Sequence, residues 1–150
     1  MAKRISKREF VAWRAEGRCE YCRSPAAFAH QSFSLEHIRP RSRQGKRTVG
    51  NLALSCQGCN NHKYTRTKAR DPVSEEIVVL FHPRRHRWAE HFVWTEDATQ
   101  ILGLTRIGRA TVEALQLNRV ALVNLRRVLV EAGEHPPQDF IACIALFIQR

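Results

Sequence analysis

Four of the five cysteines fall into two C-x-x-C pairs, Cys19/Cys22 and Cys56/Cys59, with 33 residues between them. In a reducing compartment disulfides are disfavoured, and two such pairs read as a tetrahedral Zn2+ site with four soft thiolate ligands. A single C-x-x-C could be a redox motif; the second pair makes zinc the stronger reading. With four sulfurs bound, no position stays open for water, so the zinc would be structural. The fifth cysteine, Cys143, lies in the apolar run Phe140–Ile148 and reads as a packed core thiol.

A second group of residues lies between the pairs and inside the second one. It reads Glu36-His37-Ile38-Arg39-Pro40-Arg41-Ser42, then Gly50-Asn51-Leu52, then Cys56-Gln57-Gly58-Cys59-Asn60-Asn61-His62-Lys63. Over Cys19–Lys63, about a third of the chain, the sequence resembles the zinc-stapled HNH endonucleases. That family has an acidic residue and His before an apolar-x-Pro-x-Ser stretch, Asn-Leu a little further on, and C-x-x-C followed by His or Asn and then Lys.

The resemblance implies a ββα-metal fold, in which two strands and a helix hold one divalent ion, Mg2+ or Mn2+. It implies cleavage that leaves a 5′-phosphate and a 3′-hydroxyl. Carried over by position, His37 is the general base and Asn51 the residue that braces the loop and orients that base. Glu36 and Asn60 are the ligands of the catalytic ion, and His62, two residues past the usual slot, is a reserve ligand. The chemistry suits these side chains: His works as a base near neutral pH, and a hard cation takes carboxylate and amide oxygens. Asn60 could equally cap the helix that follows. Two features depart from the family pattern. The acidic residue is Glu where Asp is common, and the loop after Pro-x-Ser has the single Gly45 where many members have two adjacent glycines.

Charge points to the same partner. The net is +11, and it is all in one half: residues 1–70 hold 16 Lys/Arg against 4 Asp/Glu, residues 71–150 hold 9 against 10. A polyanion is the expected partner, and the resemblance implies that it is DNA, double-stranded. Arg39, Arg41, Arg43, Lys46 and Arg47 sit in the loop beside the candidate site, and Lys63 and Arg66 extend the patch as phosphate contacts. Arg84, Arg85 and Arg87 are a possible second contact region.

Those side chains need elements to position them. Ser6-Lys7-Arg8-Glu9 matches a capping box and starts a helix with Phe10 and Trp13 as its apolar stripe and Gly17 as its stop. Alternation over residues 33–38 predicts a strand ending near His37. Glu36 and His37 then lie on opposite faces unless the strand ends there, and Pro40 favours an end. A helix starts at Gln57 or Gly58 and runs to Lys63 or Arg66. Near Asp71-Pro72 the composition changes, which divides a 1–70 nuclease core from a 71–150 extension. In the extension Ile77–Phe81 reads as a strand, and Phe92–Trp94 with Thr99–Leu104 as a hairpin around Glu96-Asp97. Three helices follow: Arg106–Leu117 capped by Thr105, Arg119–Ala132 capped by Asn118 and stopped by Gly133, and Pro137–Gln149. The expected class is α+β: a ββα-metal core with a structural four-cysteine zinc site, then a small hairpin and a helical C-terminal part.

Phe140–Ile148 is about nine residues against the roughly 20 of a membrane span, and the N-terminus lacks the apolar core of a secretory signal. A cytoplasmic chain of bacterial or phage type is expected. The alternative to an enzyme is a zinc-stapled nucleic-acid-binding module without catalysis, which explains the cysteines and the charge but leaves Glu36-His37, Asn51 and Asn60 as coincidence. A protein partner through residues 71–150 is a further expectation from their near-neutral charge.

Overall fold

Helix α1 spans Lys7–Arg14 in a computed structural model that describes residues 4–138. Its capping box is formed: Ser6 Oγ accepts the Glu9 N–H at 3.1 Å and the Glu9 carboxylate accepts the Ser6 N–H at 2.7 Å. Backbone φ turns positive at Glu16 and Gly17, and the Gly17 N–H closes on the Ala12 carbonyl at 2.9 Å. That reversal ends the helix and aims the chain at Cys19. The buried stripe differs from the expected one. Val11 and Ala15, four residues apart, enter the core, while Trp13 stays 74% exposed. Two small side chains let α1 lie close to its neighbours, and Arg14 then reaches the Val49 and Leu52 carbonyls at 2.9 and 2.7 Å.

Strands β1 (Ser34–His37) and β2 (Leu52–Ser55) pair antiparallel, with Ser34 opposite Ser55 and His37 opposite Leu52. All four residues of β2 are buried, because α1 packs on it. Helix α2 (Gln57–Lys63) follows at once and packs against β1. Cys56 is its N-cap, the sulfur accepting from the Cys59 N–H at 3.4 Å. These three elements are the ββα unit, and β1 does end at His37.

Among the described residues the rest of the chain adds two hairpins and three helices. Strands β3 (Lys68–Arg70) and β4 (Ile77–Val79) pair with Lys68 opposite Val79. The run over Ile77–Phe81 is therefore a shorter strand than expected, after which Leu80 and Phe81 turn into the core. Helix α3 (Trp88–His91) leads into β5 (Phe92–Trp94), which pairs with β6 (Ile101–Gly103) around a turn held by Asp97. Helix α4 (Arg106–Ala114) is capped by Thr105, whose Oγ1 accepts the Gly108 N–H at 3.0 Å. Helix α5 (Val120–Glu131) ends at Gly133, where φ is 73°.

The N-terminus of α5 corrects an expectation. Arg119, not Asn118, is the N-cap. The Asn118 amide is used elsewhere: its Oδ1 accepts the Ile101 N–H at 2.7 Å and its Nδ2 donates to the Ile101 carbonyl at 2.9 Å. One primary amide thus satisfies both backbone groups of a strand residue, which a helix cap would leave bare. The expected helix over Pro137–Gln149 lies, from residue 139 on, outside the described residues, as does Cys143.

The apolar core runs without a break past residues 70/71. Phe81, Trp88 and Phe92 pack with Tyr21, and Trp88 Nε1 donates to the Tyr21 carbonyl at 3.0 Å. Asp71, fully buried at the β3–β4 turn, forms a two-pronged ion pair with Arg109 at 2.7 and 2.8 Å. That guanidinium, with the Ser74 and Val73 donors, holds the Asp71 carboxyl well below the usual range against the cost of its burial. The class is α+β: a β-hairpin and helix beside a four-cysteine cluster, then small hairpins and C-terminal helices.

His135 closes the far end of this core. Its ring stands edge-on to Trp94 with centroids 4.5 Å apart, and Nε2 pairs with the Ala98 carbonyl at 2.8 Å. Burial, joined by the charges of Arg126 and Arg18 and opposed by the Ala98 bond, lowers its pKa to about 4. The unfolded chain takes up this proton near pH 6.5; the folded chain does so only near pH 4. Stability is therefore expected to fall by up to about 3 kcal/mol as pH drops from 6.5 to 4, and to show no His135 contribution above pH 6.5. Urea midpoints against pH check this: the wild-type slope through that window should be steeper than that of His135→Gln.

Candidate functional site

The four cysteines converge. Cys19 and Cys22 leave the turn after α1, Cys56 and Cys59 sit at the start of α2, and the sulfurs all lie within 4.8 Å of one another, buried. A tetrahedral Zn2+ with sulfurs at about 2.3 Å requires S–S edges of about 3.8 Å. The Cys22–Cys56 separation of 3.7 Å meets that requirement. The donor set and its geometry therefore fit a structural zinc.

Sequence reasoning missed the group that faces this cluster. Arg119, at the head of α5, points Nη2 at Cys56 Sγ (3.4 Å) and Nη1 at Cys59 Sγ (3.7 Å). Burial disfavours its charge, and the thiolates of Cys59, Cys56 and Cys22 more than offset that, so its pKa is raised. Space for the guanidinium comes from Gly58, where a Cβ would collide with it. The glycine between the cysteines was the local signal; its partner lies about 60 residues away and left none.

Glu36 and His37 leave β1 on opposite sides. Glu36 is 4% exposed and faces α2. Its Oε1 accepts from Lys63 Nζ at 2.5 Å and its Oε2 from the Tyr21 hydroxyl at 2.6 Å. Burial raises the Glu36 pKa, and Lys63 and Tyr21 offset only part of that rise. The sequence reading did not foresee these two partners. Two of roughly four acceptor positions of the carboxylate are used, and an ion bound there would compete with the ammonium. Asn60 lies three residues before Lys63 on α2, hence on the same helical face one turn away. His62 is exposed.

Lys63 corrects an expectation. Read as a phosphate contact, it is 1% exposed, with its ammonium spent on Glu36 and on the Ile38 carbonyl at 3.0 Å. A buried carboxylate needs a buried counter-ion, and the lysine at the end of α2 is the one that reaches it. Arg84 is likewise engaged, on the half-buried side, by Glu20.

His37, half-buried, lies on the loop side. Burial, then the charges of Arg41 and Arg47, lower its pKa, so the ring is neutral at pH 7. Its Nε2 is buried and has no hydrogen-bond partner among the described residues. The loop itself is built around Asn51. Asn51 Oδ1 accepts the Arg39 N–H at 2.9 Å, and Nδ2 donates to the Arg39 carbonyl at 3.0 Å and the Lys46 carbonyl at 2.9 Å. One side chain thus ties both ends of the 39–46 segment. Gln44 takes the left-handed conformation (φ 64°), which glycine adopts freely and an L side chain does not. Gly45 cannot be replaced so readily: a Cβ there would run into the Arg39 and Pro40 carbonyls.

This geometry yields an expected outcome. Gly45→Ala should displace the loop and lower the urea midpoint, because its Cβ meets the Arg39 and Pro40 carbonyls, while the zinc stays bound. Gln44→Gly should raise stability by about 0.5–1 kcal/mol by relieving the left-handed backbone. Zinc content and urea midpoints of the two variants check both.

Around the site Arg39, Arg41, Arg43, Lys46 and Arg47 are exposed. Arg43 also donates to Thr67 Oγ1 at 2.9 Å, which ties the loop to the segment after α2. Arg66 is exposed and donates to the His62 and Ala114 carbonyls. His86 and His91 pack on Phe81, with His82 beside His86, and all are partly engaged: His86 Nδ1 accepts the His82 N–H and His91 Nδ1 meets Thr105 Oγ1 at 2.6 Å. Among the described residues no helix is long and apolar enough to cross a membrane.

Residues 19–66 match the family model described as HNH endonuclease. No curated protein and no solved structure matches the chain.

Proposed function

We propose, from the match of residues 19–66 to the HNH endonuclease family model, that the chain is a divalent-metal-dependent endonuclease that hydrolyses DNA phosphodiester bonds. That match supports a nuclease acting on nucleic acid. The finer reading rests on one observation above all: His37 ends β1 beside a basic loop whose two ends are tied by Asn51.

In this reading His37, kept neutral by burial and by Arg41 and Arg47, accepts the proton of the attacking water. Asn51 holds the loop and so the surroundings of the imidazole. The exposed arginines of that loop and Arg66 bind phosphates on either side of the cut, which makes affinity fall steeply with salt. Asn60, with His62 in reserve, would hold the catalytic Mg2+ or Mn2+, and Glu36 would join them by giving up its bond to Lys63. When bound, such a hard cation neutralises the phosphate and favours departure of the leaving oxygen. The Glu36–Lys63–Tyr21 cluster fixes β1 against α2 and so fixes the spacing between base and ion ligands.

Attack by water with loss of the 3′ oxygen leaves a 5′-phosphate and a 3′-hydroxyl. Cleaved DNA should therefore be rejoined by a DNA ligase without prior phosphorylation. Ends that require a kinase before ligation would contradict this chemistry.

A further inference from the structure

We infer that Tyr64 stacks on a nucleobase of the substrate beside the cleaved phosphate and favours nucleotides that are unpaired or easily unstacked. The inference rests on the nuclease reading and adds to it a contact that decides which DNA structures are preferred.

Tyr64 is the residue at which α2 stops. Its N–H closes on the Asn60 carbonyl at 2.9 Å, and its backbone lies at φ 49°, ψ −118°. Glycine takes that conformation freely and an L side chain does not. Such strain persists where packing of the side chain holds it. Here packing does not, because Tyr64 is 76% exposed. The fold would be better served by glycine at this position. A large ring kept there at a cost to the fold points to a use outside the chain.

The surroundings say what kind of surface the ring meets. Tyr64 follows Lys63, which is bonded to Glu36, the neighbour of His37. It is one turn beyond Asn60 on the same helix. On its other side come Arg66, Lys68 and Arg70, all exposed, and Thr67 carries the guanidinium of Arg43 from the loop. No acidic residue lies between Glu36 and Asp71 in the sequence. An exposed aromatic ring in a run of cations matches a ligand that offers both phosphates and flat aromatic faces, which is a nucleic acid. In a regular duplex each base face is covered by its neighbours, so a stacking ring gains most where a base is unpaired or readily flipped.

The test uses the full zinc-loaded chain carrying His37→Ala, so that substrate is bound and not cut. Tyr64→Gly and Tyr64→Phe are compared in that background. Binding is measured on a paired duplex and on the same duplex with one unpaired 2-aminopurine, whose fluorescence reports stacking. Tyr64→Gly should raise the melting temperature, abolish quenching of the probe, and weaken binding to the unpaired substrate by about 5- to 150-fold. Binding to the paired duplex should weaken far less, and Tyr64→Phe should behave as the parent. A Tyr64→Gly variant that melts lower, or that binds both substrates within twofold of the parent, would overturn the inference alone. A parent that binds neither substrate would overturn the nuclease reading with it.

Discussion

His37→Ala is expected to reduce DNA cleavage by about 10³-fold, with zinc content and DNA affinity within about twofold of wild type. The size follows from the role. Removing a positioned general base costs on the order of 10²–10⁴ in rate, and His37 shares its face of β1 with Leu35, which cannot replace it. The selectivity follows from the surroundings. His37 is half-buried at the strand end and makes no side-chain hydrogen bond through Nε2, so its loss leaves the Asn51 network, the Glu36–Lys63 pair and the cysteine cluster intact. Cleavage rate, bound zinc and a salt titration of DNA binding, measured on one preparation, check the division. A variant that loses zinc and activity together would make His37 a structural residue.

The second large effect concerns the zinc. Cys22→Ser is expected to destabilise the chain by several kcal/mol, on the order of the whole stability of a domain this size. All four cysteines are buried, and they tie the turn after α1 to the start of α2, so a lost ligand releases both. Zinc binding to a site absent from the unfolded chain is folding free energy. Arg119→Met should have a smaller effect in the same direction, faster zinc loss to a chelator, because it removes the cation facing Cys56 and Cys59. Thermal melts with and without chelator read both. A Cys22→Ser chain that melts like wild type would remove zinc from the account of stability.

Much of this architecture was legible because it is written locally. A Ser-x-x-Glu box, a Thr before a helix, a C-x-x-C turn and a glycine after a helix each act over a few residues, and Ser6, Thr105, Cys56 and Gly133 all perform as their neighbours suggest. What was not legible depends on partners far away in sequence. Lys63 looks like one more cation in a basic run until Glu36, 27 residues earlier, is brought against it. Asn118 has the chemistry of a helix cap, and local rules place it there, but the bare backbone of Ile101 competes for the same amide and wins. Trp13 is the most apolar residue of α1 by size and yet lies outside, because Val11 and Ala15 suit close packing better. Strand β3 was hidden in a basic stretch because its pairing with β4, not its own composition, makes it a strand. Of the site, the cluster of sulfurs follows from spacing alone, whereas Arg119 and Tyr21 are contributed by tertiary packing.

The most direct measurement is cleavage of supercoiled plasmid by the purified zinc-loaded wild-type protein at low salt, with Mg2+, with Mn2+ and with neither. The account predicts nicked or linear product that requires the added divalent ion. Tight, salt-sensitive binding of the plasmid with no cleavage under either ion would contradict it and leave a zinc-stapled DNA-binding module in place of the enzyme.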